Sequence, residues 1–270
     1  MIVPAGSPQL AQIYMQDSDD YNVTIVEGAD PLVAAFGSSS YDVIIAPTNL
    51  GAKLYDAKPE YQLAATITWG SYYLISKSNI DEMESLDIVA FGQNQIPDAL
   101  MQYVLEGLDI AFDVEYLDSL SSVVSDFVID GSKVYLMSEP SLSVISSSHD
   151  GIDILDLQTS YHTLTGYEDF PQASIFVHQS LNDKDVQKIK DDFEDSIHLL
   201  NEDLESSANL AKNLGLSMDR EIIIQSIPRS NIEFRDSQDI KEDIIFFLGL
   251  LKRFNPNFVG DNLPNDTFYR

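Results

Sequence analysis

Cysteine is absent from the chain. That excludes disulfides, thiolate nucleophiles and cysteine-based metal sites. It leaves the compartment unassigned, since exported proteins also fold without cysteine. Basic residues are scarce: 15 Lys and Arg stand against 44 Asp and Glu, a formal net charge of −29. Phosphate backbones and anionic lipid are repelled by such a chain, which argues against nucleic-acid binding. Before Lys184 the only basic residues are Lys53, Lys58, Lys77 and Lys133, and the first arginine is Arg220. The acidity reads as solubility in a salty or wall-associated setting more readily than as a cation-selective field. No apolar run is long enough to span a bilayer, and no secretory signal is present. The first strand begins at Ile2, directly behind Met1, so any export signal is expected upstream. Catalytic signatures are missing too: no glycine–lysine phosphate loop, no Gly-x-Ser-x-Gly elbow, no His-Glu-x-x-His helix. The four histidines, His149, His162, His178 and His198, are scattered. Asp17-Ser18-Asp19-Asp20 lacks the spacing and glycine of a calcium loop and reads as a solvated turn. Neither a cofactor nor a metal is expected.

What the chain does have is a recurring corner. An apolar strand over 43–46 runs straight into Pro47-Thr48-Asn49-Leu50-Gly51, and a helix is expected from Gly51. A strand that stops at hydroxyl and amide residues before a helix leaves free backbone N–H groups and short donors at one point, a ligand-binding corner of an α/β sheet. Similar corners follow Val3-Pro4-Ala5-Gly6-Ser7-Pro8, Val89-Ala90-Phe91-Gly92-Gln93-Asn94-Gln95 and Val134-Tyr135-Leu136-Met137-Ser138-Glu139-Pro140.

Strand and helix patterns alternate along the first part, which predicts a largely parallel sheet covered by helices. Expected strands lie at 2–3, 22–27, 43–46 and 62–76, the last broken at Trp69-Gly70. Helices are expected at 9–16 and 31–36. The polar stretch 78–87 reads as a crossover into a second α/β unit, with strands at 88–91, 113–116 and 133–137 and helices at 97–106 and 120–129. Residues 138–166 read as irregular apart from a strand at 152–157. A strand at 174–178 reads as the way back. Val186, Ile189, Phe193, Ile197 and Leu200 recur at helical spacing, and further helices are expected at 202–214, 219–227 and 240–254. The implied domains are 1–82 with 172–270 as a discontinuous lobe one, and 83–171 as lobe two.

Several segments carry a resemblance. They are Pro4-Ala5-Gly6-Ser7-Pro8, Gly28-Ala29-Asp30-Pro31, Ala46-Pro47-Thr48-Asn49-Leu50-Gly51, Thr68-Trp69-Gly70, Ser138-Glu139-Pro140, Ser230-Asn231-Ile232-Glu233-Phe234 and Leu263-Pro264-Asn265-Asp266-Thr267-Phe268-Tyr269. In order and spacing the chain resembles the solute-binding proteins of ABC importers, in the nitrate, sulfonate, taurine and thiamine-pyrimidine-precursor group. The resemblance implies an α/β, two-lobe type II periplasmic-binding-protein fold with a hinged inter-lobe cleft and a helical C-terminal tail. It also implies capture of a small solute, delivery to the permease subunits of an ABC transporter, and a periplasmic or lipid-anchored cell-surface location. A monomer and no catalysis are expected. The competing class is a biosynthetic enzyme on the same fold, of thiamine-pyrimidine or menaquinone type. A fused signalling segment, which would mark a sensor, is not seen.

The candidate ligand contacts follow from the corners. Gly6 lets the backbone approach a solute, Ser7 is a donor or helix cap, and Pro8 opens the helix. Thr48 and Asn49 offer a hydroxyl and an amide. A lone tryptophan usually packs in a core, but Trp69, beside Gly70 at a strand break, is expected to wall the cleft. Tyr72 and Tyr73 face opposite sides of an extended strand, so at most one lines it. Gln93, Asn94 and Gln95 end the first strand of lobe two. Glu139 is a partner for a ligand ammonium or for a group across the cleft, or else an exposed loop acid. With no basic side chain in these corners beyond Lys53, a neutral or cationic, heteroaromatic solute is favoured over a simple anion.

Overall fold

The computed structural model describes residues 1–167 and 169–270. The chain divides into two units, Met1–Trp69 with Pro171–Arg270, and Gly70–Phe170. It runs through β1 (Ile2–Pro4), α1 (Ser7–Ala11), α2 (Ile13–Gln16), β2 (Thr24–Val26), α3 (Asp30–Ser38), β3 (Val43–Pro47), α4 (Thr48–Ala57) and β4 (Tyr61–Trp69) before entering the second unit. That unit contains β5 (Tyr72–Ser76), β6 (Ser85–Phe91), α5 (Ile96–Gly107), β7 (Ala111–Leu117), α6 (Leu120–Ile129), β8 (Val134–Ser138), α7 (Ser141–Ser148), β9 (Asp153–Asp156) and α8 (Leu157–Thr165). The first unit is completed by β10 (Pro171–His178), α9 (Asp183–Glu202), α10 (Leu204–Asn213), α11 (Arg220–Ser226), β11 (Ile232–Asp236) and α12 (Lys241–Phe254).

The first sheet has the order β11-β4-β10-β3-β1-β2. β1 is parallel to β2 and β3, while β10 is antiparallel to β3 and β4. The sheet is therefore mixed, not largely parallel, because β10 returns from the second unit into the slot between β3 and β4. Residues 43–46 of β3 are all buried, as expected of a strand covered on both faces. On one face Val43 and Ile45 join Ala65, Ile67, Ile175 and the α9 residues Val186, Ile189, Phe193, Ile197 and Leu200. That helix is started by Asn182, whose side chain accepts from the Asp185 N–H. On the sheet, Gly51 of α4 faces the Phe176 ring so closely that an added Cβ would lie 2.0 Å from it; only glycine lets helix and strand approach this far.

The second sheet has the order β7-β6-β8-β5-β9, with β6, β7 and β8 parallel and β5 antiparallel to β8 and β9. Its core gathers Tyr73, Ile75, Val89, Val123, Phe127, Tyr135, Met137, Leu142 and Ile145. Each such side chain contributes roughly 1.5–3 kcal/mol by leaving water.

Two further expectations are corrected. The chain passes from the first sheet to the second at Trp69–Gly70, since β5 pairs with β8 and β9; the polar stretch 78–87 lies within the second unit, a mostly exposed connector over 78–84 that leads into β6. The stretch 138–166 is not irregular but holds α7 and α8. Serine-rich α7 has weak intrinsic helix propensity and folds by burying Leu142 and Ile145 on one face. β11 was not anticipated at all, its five residues lying between helical patterns.

Candidate functional site

In the first sheet, β1, β3 and β4 end at one edge, where β10 and β11 begin: Trp69 pairs with Pro171, Pro47 with Ala173, and Thr68 with Ile232. Gly6, Ser7, Pro8, Thr48, Asn49 and Trp69 are thereby brought to a single sheet edge. Their local chemistry differs from the expectation in detail. Gly6, with φ of 100°, is the cap of α1, its carbonyl accepting from the Gln9 and Leu10 N–H groups; Ser7 is the first helical residue and makes no cap. α4 starts at Thr48 with no intervening loop. The Thr48 hydroxyl is buried and shares a hydrogen bond of 2.7 Å with Ser174, which in turn meets Thr66 at 2.8 Å. This hydroxyl row runs from the start of α4 across β10 to β4. Asn49 donates to the Phe258 carbonyl at 3.0 Å.

Trp69 is fully buried. Its indole N–H donates to the Glu233 carbonyl at 2.9 Å, and the Arg235 guanidinium lies 4.2 Å from its ring centroid. Both partners come from β11, so an unanticipated strand supplies the surroundings of the only tryptophan. Arg235 also bonds the Glu233 carboxylate through Nε at 3.0 Å and through Nη2 at 2.5 Å. A basic side chain therefore does stand near this edge, although none is in the corner loops.

In the second sheet, β6, β7, β8 and β9 end where β5 begins: Tyr72 pairs with Ser138 and Tyr73 with Asp156. Gly70, Gln93, Asn94, Gln95 and Glu139 thus share its edge. Gln93, Asn94 and Gln95 are exposed. Asn94 is left-handed, with φ of 57°, and is held there from below. Asp98, buried on α5, accepts from the Asn94 N–H at 2.8 Å, from the Tyr116 hydroxyl at 2.6 Å and from the Gln102 amide at 2.6 Å. Burial first, then the Asp98 carboxylate, pushes the Tyr116 hydroxyl up to about 12. Glu139 is buried, not an exposed loop acid, and its carboxylate faces the Ser143 N–H in the first turn of α7 at 3.4 Å. Tyr73 joins the core facing α6, whereas Tyr72 stacks on Phe170 at 6.0 Å, consistent with opposite faces.

Asp98 is a residue that sequence reasoning missed. Asp98 could have been found, since it stands three positions after Gln95 where a helix opens with proline. Among the described residues no cluster of His, Asp and Glu is arranged to hold a metal ion, and no helix is long and apolar enough to cross a membrane.

No protein-family model matches the chain, and no curated protein matches it by sequence. Solved structures do match. An ABC transporter structure from Parabacteroides distasonis aligns with TM-score 0.89 and 21% identity, over 100% of this chain and 97% of that one. The periplasmic aliphatic sulphonate binding protein of Escherichia coli aligns with TM-score 0.71 and 12% identity, over 97% and 88%. A zinc-bound ligand-binding component of an ABC-type import system from Staphylococcus aureus aligns with TM-score 0.67 and 14% identity, over 100% and 96%. The two mixed sheets and this likeness define an α/β fold of the periplasmic-binding-protein type. Within that class the strand orders, with a returning strand set beside the third, are those of type II.

Proposed function

We propose that the chain is the extracytoplasmic solute-binding component of an ABC importer, capturing a small solute at its strand-end corners and presenting it to permease subunits. The observation that carries this is the convergence of candidate contacts on one edge of each sheet, in a fold shared with import-system proteins. In open α/β sheets ligands bind beyond the carboxyl ends of the strands. Contacts from Gly6, Ser7, Gly70, Gln93, Asn94, Gln95 and Glu139 are the expected set, while Thr48, Asn49 and Trp69 shape the edge. A solute that binds one conformation of the chain better than another would shift the population toward it. Micromolar capture needs about −8 kcal/mol, within reach of a few hydrogen bonds and one stacked ring. A neutral or cationic, heteroaromatic solute is favoured, because Arg235 is engaged by Glu233 and Glu139 adds a buried carboxylate.

The test is native mass spectrometry of the gently purified protein, followed by identification of the released solute and calorimetry with it. An unturned-over organic base or neutral ring bound at micromolar affinity supports the proposal. Conversion of that solute by the purified chain would favour the biosynthetic-enzyme alternative. Micromolar binding of nitrate or taurine would overturn the solute class. A lipid-modified cysteine found upstream in the full precursor would support surface anchoring.

A further inference from the structure

The side chain of Gln158 sits where the chain enters and leaves the second unit. Gln158 lies in the first turn of α8, whose start is capped by Asp156, and it is 6% exposed. Its carbonyl oxygen accepts from the Ser71 N–H at 3.2 Å, and its amide nitrogen donates to Asp169 at 2.5 Å. Ser71 belongs to the incoming segment and Asp169 to the outgoing one. The two segments are also joined directly, Gly70 N–H donating to the Phe170 carbonyl at 3.1 Å. Phe170 packs between Tyr72, stacked at 6.0 Å, and Tyr161, edge-on at 5.5 Å. Gly70 and Ser71 both have positive φ, 49° and 83°, a pair of left-handed residues that needs an outside hold. Gly70 also leaves the room: a Cβ there would fall 0.9 Å from the Gln158 amide oxygen.

We propose that Gln158 is a clasp that makes the incoming segment, Gly70–Ser71, and the outgoing segment, Asp169–Phe170, into one conformational element. An amide side chain suits this role because it accepts on one side and donates on the other. Neither a carboxylate nor an alkyl group of the same length can hold both segments. The clasp also takes the Ser71 N–H away from solute contact, as the Phe170 carbonyl takes the Gly70 N–H. It stands on local geometry and does not depend on the identity of any solute.

The test is hydrogen–deuterium exchange, read by mass spectrometry at residue level, on Gln158→Met in the full chain. Methionine fills the volume and removes both hydrogen bonds. Exchange at Ser71 should rise at least tenfold, and Gly70 should follow although Gln158 does not touch its N–H. The β8 amides of Leu136 and Met137 should stay unchanged. A rise at Ser71 with Gly70 still protected would show that the segments are not coupled and would overturn the proposal. So would no change, or uniform acceleration through β8. Gly70→Ala is the second variant: its methyl group must expel Gln158 and should release the same two amides. Gly70→Ala with wild-type exchange at Ser71 would also overturn it.

Discussion

The two sheet edges look alike in sequence and differ in chemistry. At the edge of the first unit the polar side chains are turned inward: Thr48 meets Ser174, Asn49 holds the Phe258 carbonyl, and the Trp69 indole is bound by β11. At the edge of the second unit Gln93, Asn94 and Gln95 are exposed, and their order is imposed from beneath by buried Asp98. A hydroxyl or amide at a strand end is thus an internal tie in one place and an open donor in the other. What separates them is whether a neighbouring strand or tail supplies a partner. The first unit has β10, β11 and the C-terminal segment to do so; among the described residues the Gln93–Gln95 corner is held by its own helix, through Asp98.

The strongest challenge to this contrast is Trp69→Ala. Loss of a fully buried indole should cost about 3–5 kcal/mol, seen as a large drop in denaturant midpoint with the slope unchanged. A variant of wild-type stability would return Trp69 to a solvent-facing wall. Asp98→Ala comes next, at about 2–3 kcal/mol, since it leaves three donors without their carboxylate. It carries a pH signature as well. The Tyr116 pKa is raised to about 12 from an ordinary 10.0. Its contribution to stability is therefore complete below pH 10.0 and is lost as pH rises towards about 12. In Asp98→Ala that alkaline loss should be shallower but present, because burial remains. Denaturant midpoints taken across this range, with tyrosinate absorbance, check the sign.

Thr48→Val should cost about 1 kcal/mol, the scale of one buried hydrogen bond; Ser174 keeps Thr66 as a partner. Thermal denaturation of the pair Thr48→Val and Ser174→Ala should reveal a non-additive energy if the hydroxyl row is a unit. Smallest in stability, and most telling for function, are Gln93→Ala and Gln95→Ala. Each should change stability by no more than about 0.5 kcal/mol while weakening binding of the co-purified solute. Unchanged affinity in both would remove this corner from the site.

The β/α alternation and the long helices were legible because period and length reinforce each other there. Residues 120–129 were placed as α6 occupies them, and Val186 to Leu200 lie on the buried face of α9. The corners were legible as places, since every candidate contact lies at a sheet edge. Their side-chain partners were not, because Ser174, Phe258 and Glu233 are remote in sequence and carry no local signal. β11 was missed because Ile232–Asp236 is short and pairs only with β4, at the end of the sheet. α8 carried a recognisable start and stop, Asp156 and left-handed Gly166, yet its serine- and threonine-rich neighbourhood suggested a loop.

The slot filled by β10 has a consequence for how the molecule is made. β10 lies between β3 and β4, yet the whole of Gly70–Phe170 must be synthesised before it appears. Until then the buried strand residues Val43, Ile44, Ile45 and Ala46 face an empty rung, as do Leu63, Ala65 and Ile67. The second unit is continuous in sequence and can collapse on its own as it leaves the ribosome, whereas the first must wait with two apolar strand edges open. Long-range pairing of this kind is slow and prone to association. Released chains truncated just before residue 171 should accordingly hold a protease-resistant second unit and draw holdase chaperones to the first.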